Sequence, residues 1–130
     1  MAVWEVCLVA EVHAWYSDLL DSDDPGDRLT AQQVAAALNV LELIGPTLGR
    51  PLADRVTGSS IHNLKELRPG SAGSSEVRIL FVFDPERQAV LLVAGDKQGD
   101  WSGWYEGSIP LAEERYARWL AGGYRDVIEG

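Results

Sequence analysis

Cysteine and histidine are scarce in this sequence of 130 residues, which contains one cysteine, Cys7, and two histidines, His13 and His62. A single thiol cannot form a disulfide within the chain, and zinc sites built from several thiolates are excluded for the same reason. Neither histidine belongs to an HExxH pattern, and the sequence has no GxGxxG or Walker-type loop. We therefore expect neither a metal nor a cofactor.

Long hydrophobic runs are also missing. No apolar run approaches the roughly 20 residues that span a bilayer, and the N-terminus lacks the basic and apolar regions of a signal peptide. Together with the single cysteine, this indicates a cytoplasmic protein without membrane contact. The length corresponds to one domain over residues 1–130, and 46% hydrophobic with 24% charged residues is typical of a folded globular chain.

Basic residues are outnumbered, with 11 Lys+Arg against 20 Asp+Glu and a formal net charge of −9 at pH 7. As a total, this charge argues against a nucleic-acid ligand. The distribution is uneven, because residues 1–49 sum to −7, residues 50–97 to +1 and residues 98–130 to −3. The middle segment contains seven of the cations: Arg50, Arg55, Lys65, Arg68, Arg78, Arg87 and Lys97. A local basic surface is compatible with this distribution.

Hydrophobic periodicity predicts a strand and two helices in the first third of the chain. Val3–Val9 is rich in β-branched and aromatic residues, which is typical of a strand. The next segment has helical spacing, with apolar positions at Val12, Trp15, Tyr16, Leu19 and Leu20. Thr30 and Gln33 form a capping box that predicts the start of a second helix, and Gly45-Pro46 ends it.

The second half of the chain has the pattern of three strands and a last helix. Pro46–Ser60 is predicted to be a loop, and the strands are Ile61–Leu67, Val77–Phe83 and Ala89–Ala94. Their short connections, including the Gly/Ser-rich Pro69–Ser75, imply antiparallel neighbours. Val77–Phe83 is apolar on both faces and is expected at the centre of the sheet.

The C-terminal aromatic residues are divided between a predicted loop and a predicted helix. Gly99–Gly107 is expected to be a loop that holds Trp101, Trp104 and Tyr105. The last helix begins at Ser108 or Ile109 with Pro110 in its first turn, and its buried stripe is Tyr116, Trp119 and Leu120. The order β-α-α-β-β-β-α predicts an α+β fold, in which a four-stranded, mostly antiparallel sheet packs with helices.

Arg78 is unusual because it lies inside an otherwise apolar strand. A guanidinium there is costly unless it reaches an anion or the rim of the sheet. One interpretation is an ion pair with Glu66, Glu76 or Asp96, and the other is a clamp for a phosphate group.

Several segments in this order resemble a known family. They are Leu48–Pro51, Asn63–Arg68, Val77–Asp84, Leu91–Lys97, Trp104-Tyr105 and Ile109-Pro110. Together they resemble the RelE/ParE superfamily of type II toxins, and more narrowly its phage-derived, HigB-like branch. The resemblance extends roughly from Trp4 to Leu120, and the predicted element order agrees with the compact fold of that family.

The resemblance implies a bacterial toxin that cleaves mRNA in the ribosomal A site and so arrests growth by inhibiting translation. Its partners would be the ribosome, mRNA and a cognate antitoxin with a helix-turn-helix domain. The toxin would contact operator DNA only through this antitoxin. In such cleavage a 2′-hydroxyl attacks the neighbouring phosphate. The reaction needs a proton acceptor, a proton donor and cations that stabilise the phosphoryl oxygens, but no metal.

The resemblance also implies roles for individual residues, and the expected catalytic set is Lys65, Arg68, Arg78, Lys97 and Tyr105. Arg68 and Arg78 would clamp phosphate, because a planar guanidinium matches two oxygens. Lys65 and Lys97 would share charge stabilisation and proton transfer.

Aromatic residues and one histidine complete the expected site. Trp104, Trp101 and His62 would bind RNA, the tryptophans by stacking on splayed bases, whereas the Tyr105 hydroxyl could also transfer a proton. For Trp104 and Tyr105, the alternative is simple packing under the last helix.

Three other interpretations of the chain stay open at this point. The first is a non-enzymatic toxin of the same fold that binds an acidic protein partner or DNA gyrase. The second is a degenerate toxin that only binds its antitoxin, and the third is a structural α+β domain with surface ion pairs.

Overall fold

The computed structural model describes residues 4–70 and 76–124. Within these ranges, helices and strands surround one apolar core, which confirms the predicted α+β class. In chain order the elements are β1 (Glu5–Leu8), α1 (Ala10–Asp21), α2 (Pro25–Ile44), a short 3₁₀ helix (Gly45–Thr47), β2 (Ala53–Arg55), β3 (Lys65–Leu67), β4 (Val77–Phe83), β5 (Gln88–Asp96) and α3 (Trp101–Leu120). None of these helices is long and apolar enough to cross a membrane.

The five strands form one sheet in the order β1-β5-β4-β3-β2. β1 pairs with β5 in parallel, and every other neighbour is antiparallel. The predicted central strand is confirmed with its bounds, and its residues from Val77 to Val82 are buried. The predicted number of four strands is wrong, because Ala53–Arg55 pairs at the edge with β3. A strand of three residues is too short to show an alternating pattern in the sequence.

β3 is shorter than predicted, because Asn63 has a φ of 66° and interrupts the extended backbone. Ile61–Leu64 therefore forms a turn with its flanking residues, and only Lys65–Leu67 belongs to the sheet. In the loop before this turn, the Glu113 carboxylate of α3 accepts hydrogen bonds from the Ser59 hydroxyl (2.9 Å) and the Ser60 amide (2.7 Å). Of the predicted Gly/Ser-rich connection, residues 71–75 lie outside the described residues.

The two sides of β3 show how the helices are arranged about the sheet. Successive side chains of a strand point to opposite faces. Glu66 contacts Tyr105 of α3, whereas the Lys65 ammonium donates to the Pro46 carbonyl just after α2 (2.7 Å). Residues adjoining α2 and α3 therefore meet opposite faces of the sheet.

Helix α2 begins five residues before the predicted capping box. Asp24 is the N-cap and accepts a hydrogen bond from the Asp27 amide (3.2 Å), while Pro25 occupies the first turn, where a missing N–H is harmless. Thr30 lies inside the helix, and its hydroxyl donates to the Gly26 carbonyl (3.1 Å). The capping box was therefore a wrong prediction. The predicted end is confirmed, since Gly45 caps α2 with a φ of 72°.

Helix α3 begins at Trp101, seven residues before its earliest predicted start. The predicted loop Gly99–Gly107 is thus mostly helix, and Pro110 lies in the helix interior instead of the first turn. Ser108 and Ala112 are the buried positions of α3, whereas Leu120, which was expected to be buried, is 59% exposed. The contacts with the sheet stabilise this glycine-containing segment as a helix.

Candidate functional site

Charged and aromatic side chains gather where the first turns of α3 cross the sheet. We call this group the α3 cluster, and its members are Asp54, Glu66, Arg68, Glu76, Arg78, Lys97, Trp101, Trp104 and Tyr105. The sheet supplies the charged members from four different strands or strand ends, and α3 supplies the aromatic ones. Their positions follow from strand register, because Glu66 faces Leu80 on β4 and Arg78 faces Gly95 on β5.

Glu66 lies at the centre of the α3 cluster and is only 3% exposed. Its Oε1 is 2.9 Å from Nε of Arg68 and 3.6 Å from Nε of Arg78. Its Oε2 accepts a hydrogen bond from the Tyr105 hydroxyl at 2.6 Å. A buried carboxylate requires such partners, because an uncompensated charge in the interior is strongly unfavourable.

The two arginines have further anionic partners. Arg68 Nη2 is 3.2 Å from Asp54 Oδ2, and Arg78 Nη2 is 3.8 Å from Glu76 Oε2. Arg78 also donates from Nη1 to the Val77 carbonyl (2.8 Å). The ion-pair interpretation of Arg78 is therefore confirmed for Glu66 and Glu76. The Arg68 side chain is 22% exposed and that of Arg78 9%, so Arg68 is the more accessible guanidinium.

Lys97 is buried beneath the first turn of α3. Its ammonium lies 3.5 Å from the centre of the Trp101 ring and 3.4 Å from the Tyr105 hydroxyl oxygen. Loss of hydration lowers the pKa of Lys97, and the nearby Arg78 guanidinium lowers it further. A lysine in this state releases a proton more readily than a solvated one.

The Tyr105 hydroxyl connects Lys97 with Glu66. Burial raises the pKa of this phenol, and the hydrogen bond to the Glu66 carboxylate raises it further. The hydroxyl is therefore protonated at neutral pH. A continuous chain of polar groups runs from the Lys97 ammonium through the Tyr105 hydroxyl to the Glu66 carboxylate.

Trp104 positions α3 against the sheet. Its ring meets Tyr105 edge to face, with 5.1 Å between centroids and 87° between the planes. A Cβ on Gly95 would lie 2.9 Å from Trp104 Nε1, so glycine allows this close approach of the indole to β5. Trp101 is more peripheral and is 55% exposed while covering Lys97.

The structure thus brings together six residues of the expected site: Arg68, Arg78, Lys97, Trp101, Trp104 and Tyr105. Lys65 is separate, because its side chain lies on the other face of the sheet, where it contacts the Pro46 carbonyl and the Phe83 ring. His62 is exposed in the turn before β3. Burial lowers the pKa of Lys65 as well, so a lowered lysine pKa does not distinguish the α3 cluster.

Sequence reasoning did not identify Glu66 as the centre of the site. A signal was present, since Glu66 and Arg68 are two residues apart and alternation places both on one face of a strand. Asp54 could not be found in this way, because its strand was not predicted. Among the described residues, no group of three or more His, Cys, Asp or Glu side chains could hold a metal ion.

The chain is similar to a known sequence family and to two curated proteins. Residues 23–117 match the sequence family described as phage-derived protein Gp49-like (DUF891), a range that includes the whole α3 cluster. A protein of Mycobacterium tuberculosis named as a candidate toxin, HigB3, is 48% identical over 116 residues, which cover 89% of this chain and 93% of that protein. A second candidate toxin of that organism, HigB2, is 52% identical over 113 residues, covering 87% of this chain but 53% of its own length.

Proposed function

This chain belongs to the Gp49-like family of HigB-like toxins, and from that premise we propose that it is a toxin whose α3 cluster cleaves mRNA on the ribosome. The observation that carries the proposal is the convergence of Arg68, Arg78 and Lys97 on the Tyr105 hydroxyl and the Glu66 carboxylate. These are the group types that metal-independent RNA cleavage requires.

The two arginines would bind the phosphate at the cleavage site. Arg68 is the more accessible and makes the first contact, and Arg78 lies behind it. Because both are paired with carboxylates, the RNA phosphate must exchange with Asp54 or Glu76 at the guanidinium groups. A guanidinium suits this exchange, since it offers several donors in one plane.

The polar chain Lys97–Tyr105–Glu66 would move the protons. The RNA 2′-oxygen bonds to phosphorus as the bond from phosphorus to the 5′-oxygen breaks. The 2′-hydroxyl proton passes to the Tyr105 oxygen while Tyr105 transfers its own proton to Glu66, and the Lys97 ammonium protonates the departing 5′-oxygen. The products are a 2′,3′-cyclic phosphate and a 5′-hydroxyl. The lowered pKa of Lys97 favours its role as the acid.

Among the remaining expected residues, this proposal gives a contact with RNA to Trp101. Trp101 is exposed beside Lys97 and could stack on an unpaired base. We also propose that a cognate antitoxin with a helix-turn-helix domain neutralises the chain and connects it to operator DNA. Lys65 and His62 lie apart from the polar chain, and this proposal gives neither of them a part in proton transfer.

Mapping of transcript ends after induced expression tests the proposal. We expect new 5′ ends within coding regions for the wild-type chain, together with growth arrest. Arg78→Ala and Lys97→Ala should abolish both effects. Arg118→Ala is the matched control, because Arg118 lies near the far end of α3 and should leave cleavage unchanged. Circular dichroism of the purified variants verifies that the fold is retained.

The same experiment separates the proposal from the other functions of this fold. Growth arrest with intact transcripts and altered DNA supercoiling would indicate a gyrase-directed toxin. Absence of arrest, with the antitoxin still bound, would indicate a degenerate toxin. Either result would refute RNA cleavage by the α3 cluster.

A further inference from the structure

Helices α1 and α2 form an antiparallel hairpin with an open groove between them. The volume of this groove is about 340 Å³. Its lining is mostly apolar and consists of Tyr16, Leu19, Leu20, Arg28, Ala31, Gln32 and Ala35. Leu20 is 55% exposed there, so this apolar side chain of the groove is open to solvent.

A second exposed apolar feature, a ridge on α2, lies outside the lining of this groove. Leu29, Ala36 and Leu43 follow one another at intervals of seven residues, so they form one line on the helix surface. Leu29 is 54% exposed, Leu43 is 60% exposed, and Ala36 is exposed as well. With a rise of 1.5 Å per residue, the ridge is about 21 Å long. A heptad-spaced ridge of this length fits a partner helix of about four turns.

The charge around the groove indicates which kind of helix would bind. Residues 1–49 carry a net charge of −7, with Arg28 as their only basic residue. The acidic side chains near the α1–α2 connection are exposed, namely Asp18, Asp21, Asp23 and Asp24. Arg28 is held locally, since it donates to the Ser22 carbonyl and lies 3.8 Å from Asp23.

The acidic side chains around the groove disfavour binding of a second copy of the chain or of RNA. A second copy of the chain would present the same −7 segment, and like charges would repel. RNA is disfavoured for the same reason. A helix with an apolar stripe flanked by Lys and Arg is complementary in both shape and charge.

We propose that the groove and ridge, together called the α1–α2 surface, bind a basic amphipathic helix of the cognate antitoxin. The proposal rests on the proposed function only in naming the partner as an antitoxin. The end of α2 and the start of α3 adjoin opposite faces of the sheet, as Lys65 and Glu66 show. Antitoxin binding and RNA cleavage therefore use separate surfaces, and substitutions can remove one while retaining the other.

Binding of the small protein encoded by the reading frame adjacent to this chain's gene tests the proposal. That protein and the full chain are purified separately, and the dissociation constant is measured by calorimetry. Leu20→Asp and Leu43→Asp should each weaken binding at least tenfold, because each places a charge in the apolar contact. Leu120→Asp on α3 is the matched control, since Leu120 is 59% exposed and should leave binding unchanged.

A charge substitution provides a second variant that leaves the apolar residues intact. Asp21→Lys should weaken binding severalfold and mainly slow association, whereas Glu114→Lys on the exposed side of α3 should not. Hydrogen exchange in the complex should protect α1 and α2.

Two results would overturn the proposal: no binding by the wild-type chain, or equal affinity of the wild type, Leu20→Asp and Leu43→Asp. Growth arrest provides an independent measurement. If the α1–α2 surface is correct, Leu20→Asp should still arrest growth but resist rescue by the antitoxin. If only the proposed function is wrong, transcripts stay intact while the affinity pattern persists.

Discussion

Tyr105 is the residue on which the α3 cluster depends most. Its single hydroxyl donates to Glu66 at 2.6 Å and lies 3.4 Å from the Lys97 ammonium. Without this hydroxyl, the buried Glu66 carboxylate would lose one of its donors, and Lys97 would lose its connection to Glu66. The residue therefore contributes to stability as well as to the proposed chemistry.

The raised pKa of Tyr105 predicts a particular dependence of stability on pH. The unfolded phenol ionises near pH 10, whereas the folded one keeps its proton to a higher pH. The folded state then binds more protons, so the free energy of unfolding falls as pH rises above about 10. Tyr105→Phe should show a smaller fall than the wild type between about pH 9 and 11 in urea titrations. If the free energy of unfolding falls equally with pH in the wild type and in Tyr105→Phe, the Tyr105 phenol is not buried and hydrogen-bonded as described.

At the scale of elements, the sequence predicts β4 and the end of α2 better than it predicts α3. β4 is predicted with its bounds, because its short run is rich in Val, Ile and Phe and lies between turn signals. The start of α3 was missed because Gly103 and Gly107 are typical of loops. A helical signal was present in the same residues, since Trp101, Trp104 and Tyr105 have the spacing i, i+3, i+4. Packing against the sheet outweighed the low helix propensity of glycine.

The candidate site was only partly predictable, because its contacts also depend on how the elements pack together. Arg68, Arg78 and Lys97 could be grouped because the resemblance covers their strands. Lys65 was grouped with them although alternation places it on the other face of β3 from Glu66. The sequence predicts Glu66, Glu76 or Asp96 as a partner of Arg78, and strand register, which is not visible in a single sequence, selects Glu66 and Glu76.

Two glycine substitutions test the contact between α3 and the sheet. Gly95→Val should destabilise the chain by about 1–3 kcal/mol, because its side chain would collide with the Trp104 indole. Gly107→Ala is the matched substitution, since a Cβ there meets nothing within 4 Å and alanine favours the helix by about 0.5–1 kcal/mol. Urea unfolding measures both. A stable Gly95→Val variant would refute the close approach of Trp104 to β5.

At the scale of the whole molecule, the acidic net charge and the proposed RNA chemistry are compatible. The −7 segment is the strand β1 and the α1–α2 hairpin, whereas the α3 cluster is built from β2 to β5 and α3. Within the α3 cluster, Arg68, Arg78 and Lys97 are balanced by Asp54, Glu66 and Glu76. The protein therefore has two surfaces of different chemistry, and the total of −9 describes neither of them.

Cleavage of a defined mRNA on purified ribosomes tests the central claim most directly. The wild-type chain should cut the ribosome-bound message and leave a 2′,3′-cyclic phosphate and a 5′-hydroxyl. Tyr105→Phe, verified as folded, should slow this step by about a hundredfold or more, because it removes the relay of protons to Glu66. An uncut message with the wild-type chain, or equal rates for the wild type and Tyr105→Phe, would contradict the account.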